Sequence, residues 1–245
     1  MSRPIDAHAA VLFDLDGVLT PTATVHRRAW KRTFDRVLIT HLGPAADPFT
    51  LEDYLNHVDG KPRYDGVHSF LESRGIELPA GHSSDPAGLD TESGVGNLKN
   101  DEFNAVLAED GVEPYPGSVA LLDHLEARHV AIAVVSSSAN ARAVLAAAGL
   151  IGRFDVIVDG VVARERDLPG KPAPDTFVAA AADLGVDVLD TAVVEDALSG
   201  VVAAAAGGVS LIVGVDREGH AAALAAAGAH VVVADLAELV DPADG

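Results

Sequence analysis

Val11–Thr20 reads VLFDLDGVLT, and the chain is organised around it. An apolar run leads into Asp14, Leu15 turns back toward the interior, and Asp16 follows with Gly17 behind it. Period-2 alternation puts Asp14 and Asp16 on one side of an extended backbone and Phe13 and Leu15 on the other. Two carboxylates so spaced repel each other unless a cation or a shared proton lies between them. The glycine lets the chain turn sharply just beyond them. The stretch therefore reads as the end of a buried strand that carries a carboxylate nucleophile and a place for a hard cation.

Downstream, the texture falls into two parts. VHRRAWKRTFDRVLI, residues 25–39, suits a helix with Trp30, Phe34 and Leu38 on one face, and shorter helical stretches are expected at 51–57, 64–74 and 100–109. Residues 75–97, rich in Gly, Pro, Ser and Asp, read as a long irregular connection. After Tyr115–Gly117 helix and strand alternate. Ser118 is expected to cap a helix over 119–128, followed by strand 130–135, helix 139–148, strand 156–158 and helix 175–184. Strand 191–194, helix 199–206, strand 209–213, helix 218–227 and strand 230–233 complete the series. This is the pattern of an α/β protein, a Rossmann-like three-layer parallel sheet core with an inserted helical unit. The expected division is 1–22 core (first strand and hinge), 23–104 helical insertion, and 105–245 α/β core.

Composition narrows the chemistry. In 245 residues there are 17 Lys+Arg against 37 Asp+Glu, a net charge of −20, which argues against nucleic acid and anionic membranes as partners. An anionic substrate would have to be held by local cations and N–H groups. No cysteine is present, so disulfides, thiolate metal sites and cysteine nucleophiles are excluded. No export signal or membrane-length apolar run is evident, and a cytoplasmic location is expected.

Three further groups fall just past expected strands, where the reactive groups of parallel sheets collect. Ser136, Ser137 and Ser138 lead to Asn140; Lys171 sits in GKPAPDTF; Glu195 and Asp196 sit in VVEDALSG. A hydroxyl at a helix start and an ammonium suit the non-reacting oxygens of a phosphoryl group. Carboxylates from two strands suit Mg²⁺, which prefers oxygen ligands. Each group has a plainer reading alone: DxD also occurs in caps, SSS in turns, lysines on surfaces, and an acidic pair at a helix entry. Their joint order is what points to catalysis.

DLDGVLT, VSSSAN, GKPAPDTF and VVEDALSG together resemble the four motifs of the haloacid dehalogenase-like phosphotransferases, over nearly the whole chain. The helical insertion after the first motif is similar to the cap of the β-phosphoglucomutase-like group. The resemblance implies that Asp14 is phosphorylated and that Asp16 acts as acid/base. It implies that Ser136, Ser137 and Asn140 bind phosphate and that Lys171 neutralises the aspartyl phosphate. It places a Mg²⁺ site on Asp14, the Asp16 carbonyl, Glu195 and Asp196.

In the insertion, LTPTATVHRRAW puts His26 where a histidine helps position the acid/base aspartate. GKPRYDGVHSFL puts Arg63 on an arginine that grips a distal phosphate, and NLKNDEF puts Lys99 and Asn100 on sugar and phosphate contacts. Trp30 is a candidate for the substrate region, with helix–helix packing as its plainer reading; His26 too has a packing alternative. Pro21 departs from an acidic residue of the family. The expected activity is interconversion of β-D-glucose 1-phosphate and glucose 6-phosphate through a 1,6-bisphosphate. The alternative is a Mg-dependent phosphatase of a sugar phosphate or other small phosphomonoester, with water as acceptor. A non-catalytic scaffold would dispense with Asp14 or Lys171, and a carbon-directed dehalogenase would not need Asp16 or the pair Glu195–Asp196. The expected partner is a small sugar phosphate, and oligomeric state is left open.

Overall fold

The continuous apolar run AVLF folds as a central strand whose four residues are all buried, as a strand covered on both faces requires. The computed structural model describes residues 4–58, 63–217 and 219–240. The elements begin with β1 (Ala10–Phe13), α1 (Ala23–Leu42), α2 (Leu51–Asp53, continued by a wider turn Tyr54–Val58), α3 (Arg63–Ser73) and α4 (Glu92–Asp110). There follow α5 (Pro116–Ala127), β2 (Ala131–Val135), α6 (Ala141–Ala147), β3 (Val156–Val158), α7 (Gly160–Glu165) and α8 (Asp175–Asp183). The chain continues through β4 (Thr191–Glu195), α9 (Leu198–Ala206), β5 (Leu211–Val215), α10 (Ala221–Ala227) and β6 (Val231–Val233). The expected helix start at Glu218 and the Gly60–Pro62 part of GKPRYDGVHSFL lie outside the described residues.

The chain divides into two compact units, Met1–Thr22 with Val112–Gly245, and Ala23–Gly111. In the first, the described strands form one parallel sheet in the order β3-β2-β1-β4-β5-β6. Leu12, Ala133, Val193 and Ile212 are cross-strand neighbours on one face, covered by Phe177 and Ala180 of α8, Val201 and Ala204 of α9, and Leu224 of α10. Val11, Phe13, Val134 and Val194 of the other face are also buried. This is the expected α/β core. The strand order runs outward in both directions from β1 and β4, so the topological switch point, where such sheets bind ligands, lies at their carboxyl ends.

The second unit is built of helices around a stack of rings. Phe34 lies 4.0 Å from Phe70, 5.0 Å from Trp30 and 5.1 Å from Phe49, centroid to centroid. Such pairs add about 0.5–1.5 kcal/mol each beyond the area they bury. Arg32 pairs with Glu109 at 2.6 Å, Arg36 with Glu102 at 2.9 Å, and Arg28 with Asp110, tying α1 to α4.

The 75–97 stretch is not irregular throughout. α4 starts at Glu92, eight positions before the expected 100, with the Thr91 hydroxyl accepting from Gly94 N at 2.9 Å as its cap. The glycines that read as breakers serve packing: a side chain on Gly96 would meet the ring of Tyr64 at 2.6 Å. The same helix runs on to Asp110, so residues 105–110, expected in the core, are its last turns and fall in the second unit. α5 starts at Pro116 with Tyr115 as its cap, because the Ser118 hydroxyl donates instead to the carbonyl of Val18 at 2.7 Å. α7, absent from the sequence reading, begins where Asp159 accepts from Val161 N and Val162 N.

Candidate active site

β1 hands its ladder on by one residue. Asp14 N donates to the Val194 carbonyl at 2.9 Å, which fixes Asp14 at the carboxyl edge of the sheet beside β4. The pairing of Phe13 with Val134 sets Asp14 level with Val135 of β2, the residue before Ser136. Lys171 then joins three strand ends. Its ammonium donates to Asp14 Oδ1 at 2.6 Å, to Glu195 Oε1 at 2.6 Å and to the Val135 carbonyl at 3.0 Å. Three donors meet three acceptors, which is the full capacity of an ammonium. The loop that presents it carries a cis Lys171–Pro172 peptide.

Glu195 is fully buried, and its second oxygen accepts from Ala197 N at 3.0 Å. Gly200 of α9 lies against that carboxylate; any side chain there would overlap it. Gly17 plays the same part for Asp196, and it does so with a φ of +80° that other residues rarely adopt. Two glycines thus make room for two carboxylates beside Asp14. Asp14, Glu195 and Asp196 each offer an oxygen, all within 4.8 Å of one another.

The electrostatics follow from burial. Burial alone would lower the Lys171 pKa, but the charges and hydrogen bonds of Asp14 and Glu195 outweigh it and raise it, so Lys171 stays charged. Burial pushes Glu195 up to about 7, with Lys171 opposing and Asp14 adding to the shift. Burial, then Asp14, Glu195 and Asp16, push Asp196 up to about 8. One ammonium does not neutralise this many carboxylates, and the excess is all oxygen. The donor set fits a hard divalent cation, which would return Asp196 to its ionised form.

Asp16 lies on the next turn, where its Oδ1 accepts from the Thr22 hydroxyl. Ser136 is buried, and its Oγ accepts from Ser138 N at 3.1 Å; Ser138 Oγ in turn accepts from Asn140 N at 3.1 Å, so two side-chain turns lead into α6. Ser137 is exposed.

Within the second unit, the other candidates form two contacting pairs. Lys99 is buried, lies about equally close to the rings of Trp30 (5.1 Å) and Phe103 (5.0 Å), and donates to His26 Nδ1 at 2.8 Å. Burial, then Lys99 and Arg63, hold the His26 pKa well below the usual range, so the ring is neutral and Nδ1 accepts. Arg63 donates to Asn100 Oδ1 at 3.0 Å. Trp30 is 5% exposed and stacks on Phe34 inside the helical core, the packing that was its plainer reading.

The sequence reading did not single out Thr22, Arg217 or the packing roles of Gly17 and Gly200. Arg217 had a usable signal, since it lies two residues past the end of β5, at the same carboxyl edge that carries Ser136 just after β2.

A parallel α/β core with an aspartate tethered to a buried lysine and an acidic pair beside it at the switch point is the arrangement of a phosphoryl-transfer type of protein. Residues 8–208 match the haloacid dehalogenase-like hydrolase family, and the chain belongs to it. Within the family it is similar to the β-phosphoglucomutases of Mycobacterium bovis and Mycobacterium tuberculosis, at 49% identity over 94% of this chain and 91% of theirs. It is also 31% identical to the fructose-1-phosphate phosphatase YqaB of Escherichia coli, over 84% of this chain and 96% of that protein. Among solved structures, CbbY of Rhodobacter sphaeroides in complex with phosphate superposes with a TM-score of 0.70 at 26% identity, covering 96% of this chain and 98% of that one. No helix of the described residues is long and apolar enough to cross a membrane.

Proposed function

We propose that the chain is a Mg²⁺-dependent phosphomutase that interconverts β-D-glucose 1-phosphate and glucose 6-phosphate through a phosphorylated Asp14. The observation that carries this reading is Asp14 hydrogen-bonded to Lys171 beside Glu195 and Asp196. Its setting is a chain 49% identical to mycobacterial β-phosphoglucomutases.

Phosphorylated Asp14 starts the cycle. The 6-hydroxyl oxygen of β-glucose 1-phosphate attacks the phosphorus as Asp16 takes its proton, and the bond from Asp14 to phosphorus breaks. The 1,6-bisphosphate turns over, and a free Asp14 oxygen attacks the phosphorus at C1. Asp16 returns the proton to the departing C1 oxygen, which leaves glucose 6-phosphate and restores phospho-Asp14. Lys171 holds Asp14 in place as nucleophile and offsets charge on the phosphoryl oxygens. Ser136, Ser137 and Asn140 are assigned to those oxygens. Mg²⁺, held by Asp14, the Asp16 carbonyl, Glu195 and Asp196, would supply positive charge that lets an anionic nucleophile meet an anionic phosphoryl group. A mutase must also hold a second phosphate, and Arg63, Lys99 and Asn100 are assigned to it, with His26 keeping Lys99 in place.

The similarity to a fructose-1-phosphate phosphatase favours a second reading, in which water replaces the sugar hydroxyl. One assay separates the two. Protein, Mg²⁺ and β-glucose 1-phosphate are incubated with a trace of the 1,6-bisphosphate, and both glucose 6-phosphate and inorganic phosphate are measured. Glucose 6-phosphate without matching phosphate supports the mutase; phosphate released in step with substrate loss overturns it in favour of the phosphatase.

A further inference from the structure

The turn that follows Asp16 is held from outside at three successive carbonyls. Arg217 Nε donates to the Gly17 carbonyl at 3.2 Å, Ser118 Oγ to Val18 at 2.7 Å, and Tyr115 N to Leu19 at 3.0 Å. Two of these donors come from the start of α5 and the third from the loop after β5, so the turn is gripped from two directions. Arg217 ties the grips together. Its guanidinium lies 3.8 Å over the ring of Tyr115, donates to the Ala234 carbonyl at 3.1 Å and faces Asp235 at 3.5 Å. Asp235 also fills the space that a side chain on Gly117 would need. A long side chain so fixed loses its rotamer freedom before the reaction begins.

Gly17 is the sensitive point of the turn. Its Cα backs on the Asp196 carboxylate, and its N–H donates to the Thr20 carbonyl at 2.9 Å. Rotation of the Gly17–Val18 peptide would shift Asp16 on one side and release Asp196 on the other. We propose that Arg217 is a positioning residue for phosphoryl transfer, holding the Gly17 carbonyl so that Asp16 and Asp196 keep their places. The proposal rests on the phosphotransferase reading above.

Arg217→Met and Arg217→Gln test this. Met matches the length of the stem but has no donor, whereas Gln puts an N–H where Nε stands and carries no charge. Steady-state kcat and KM are measured for the mutase reaction and for hydrolysis of a small aryl phosphate, with thermal melts alongside. Misplacing reacting groups by a fraction of an ångström to an ångström costs up to about 100-fold, so Arg217→Met is expected to lose about 10- to 100-fold in kcat. KM should stay within about threefold, and Arg217→Gln should recover most of the loss. A kcat within about twofold of wild type in Arg217→Met overturns the proposal. So does equal impairment in both variants, or a loss that follows the unfolded fraction. If Arg217→Met does not fold, Arg217→Lys, which keeps the stem and the charge but has no donor at the Nε position, carries the same expectation, and wild-type kcat there overturns it. A wild-type protein with no phosphoryl transfer at all would remove the underlying reading as well, a result distinct from failure of the variants alone.

Discussion

Metal binding at the acidic cluster is expected to depend steeply on pH, and Asp196 sets the size of the effect. Burial, then Asp14, Glu195 and Asp16, push its carboxyl up to about 8 in the metal-free protein. In an unfolded chain an aspartate titrates near ~4, so between these values the fold keeps a proton that the unfolded chain has released. The stability this proton lends is complete below about pH 4 and is lost as the pH rises through about 8. A divalent cation needs the ionised oxygen and displaces the proton. With Asp196 at about 8, its ionised fraction climbs from about 1% at about pH 6 to about half at about pH 8. Mg²⁺ affinity should therefore rise about 50-fold over that interval, about 2.3 kcal/mol. Glu195, at about 7, steepens the rise further wherever it too must ionise. Isothermal titration of Mg²⁺ in two buffers of different ionisation enthalpy measures both quantities, and at about pH 7 close to ~1 proton should leave per ion bound. Asp196→Asn should bind more weakly, with a flatter profile. Affinity constant within about threefold over the whole range, with no proton released, would refute the reasoning.

Other consequences are more direct. Asp14→Asn should abolish both the phosphoprotein, trapped and analysed by mass spectrometry, and turnover, by at least about 1,000-fold. Lys171→Met leaves Asp14 and Glu195 facing each other in a buried place; denaturant titration should show a loss of about 3–5 kcal/mol. That loss should shrink on acidification, as Glu195 takes up a proton. Arg63→Ala should cut mutase kcat/KM by about 100-fold or more while changing aryl phosphate hydrolysis less than about threefold, which product assays on the two substrates read side by side.

The core and the acidic groups gathered at its carboxyl edge were legible because they obey local rules. A strand buried on both faces needs an unbroken apolar run, which AVLF and TAVV provide, and the reactive residues come straight after such runs. Asp14, Glu195 and Asp196 could therefore be placed from order alone. What escaped depends on partners far away in the chain. Gly94 and Gly96 look like loop residues until Tyr64 is seen lying against the second of them, where a helix could not otherwise pack so closely. Ser118 has the composition of a helix cap, but a carbonyl 100 positions earlier takes its hydroxyl, and only the fold supplies that acceptor. Trp30 offered a large ring at a plausible place, and Phe34 one turn along, with Phe70 from another helix, decided its use. The DGVLT turn combines both cases. Asp16 and Gly17 at its start, with Asp14 two residues before, stand out in the sequence, yet the donors that hold its carbonyls come from residues 115, 118 and 217. Reactive groups must follow a fixed order along strands, whereas the groups that steady them need only be near in space. The chemistry is therefore readable from a single sequence, and the precision with which it is held becomes readable only after the chain is folded.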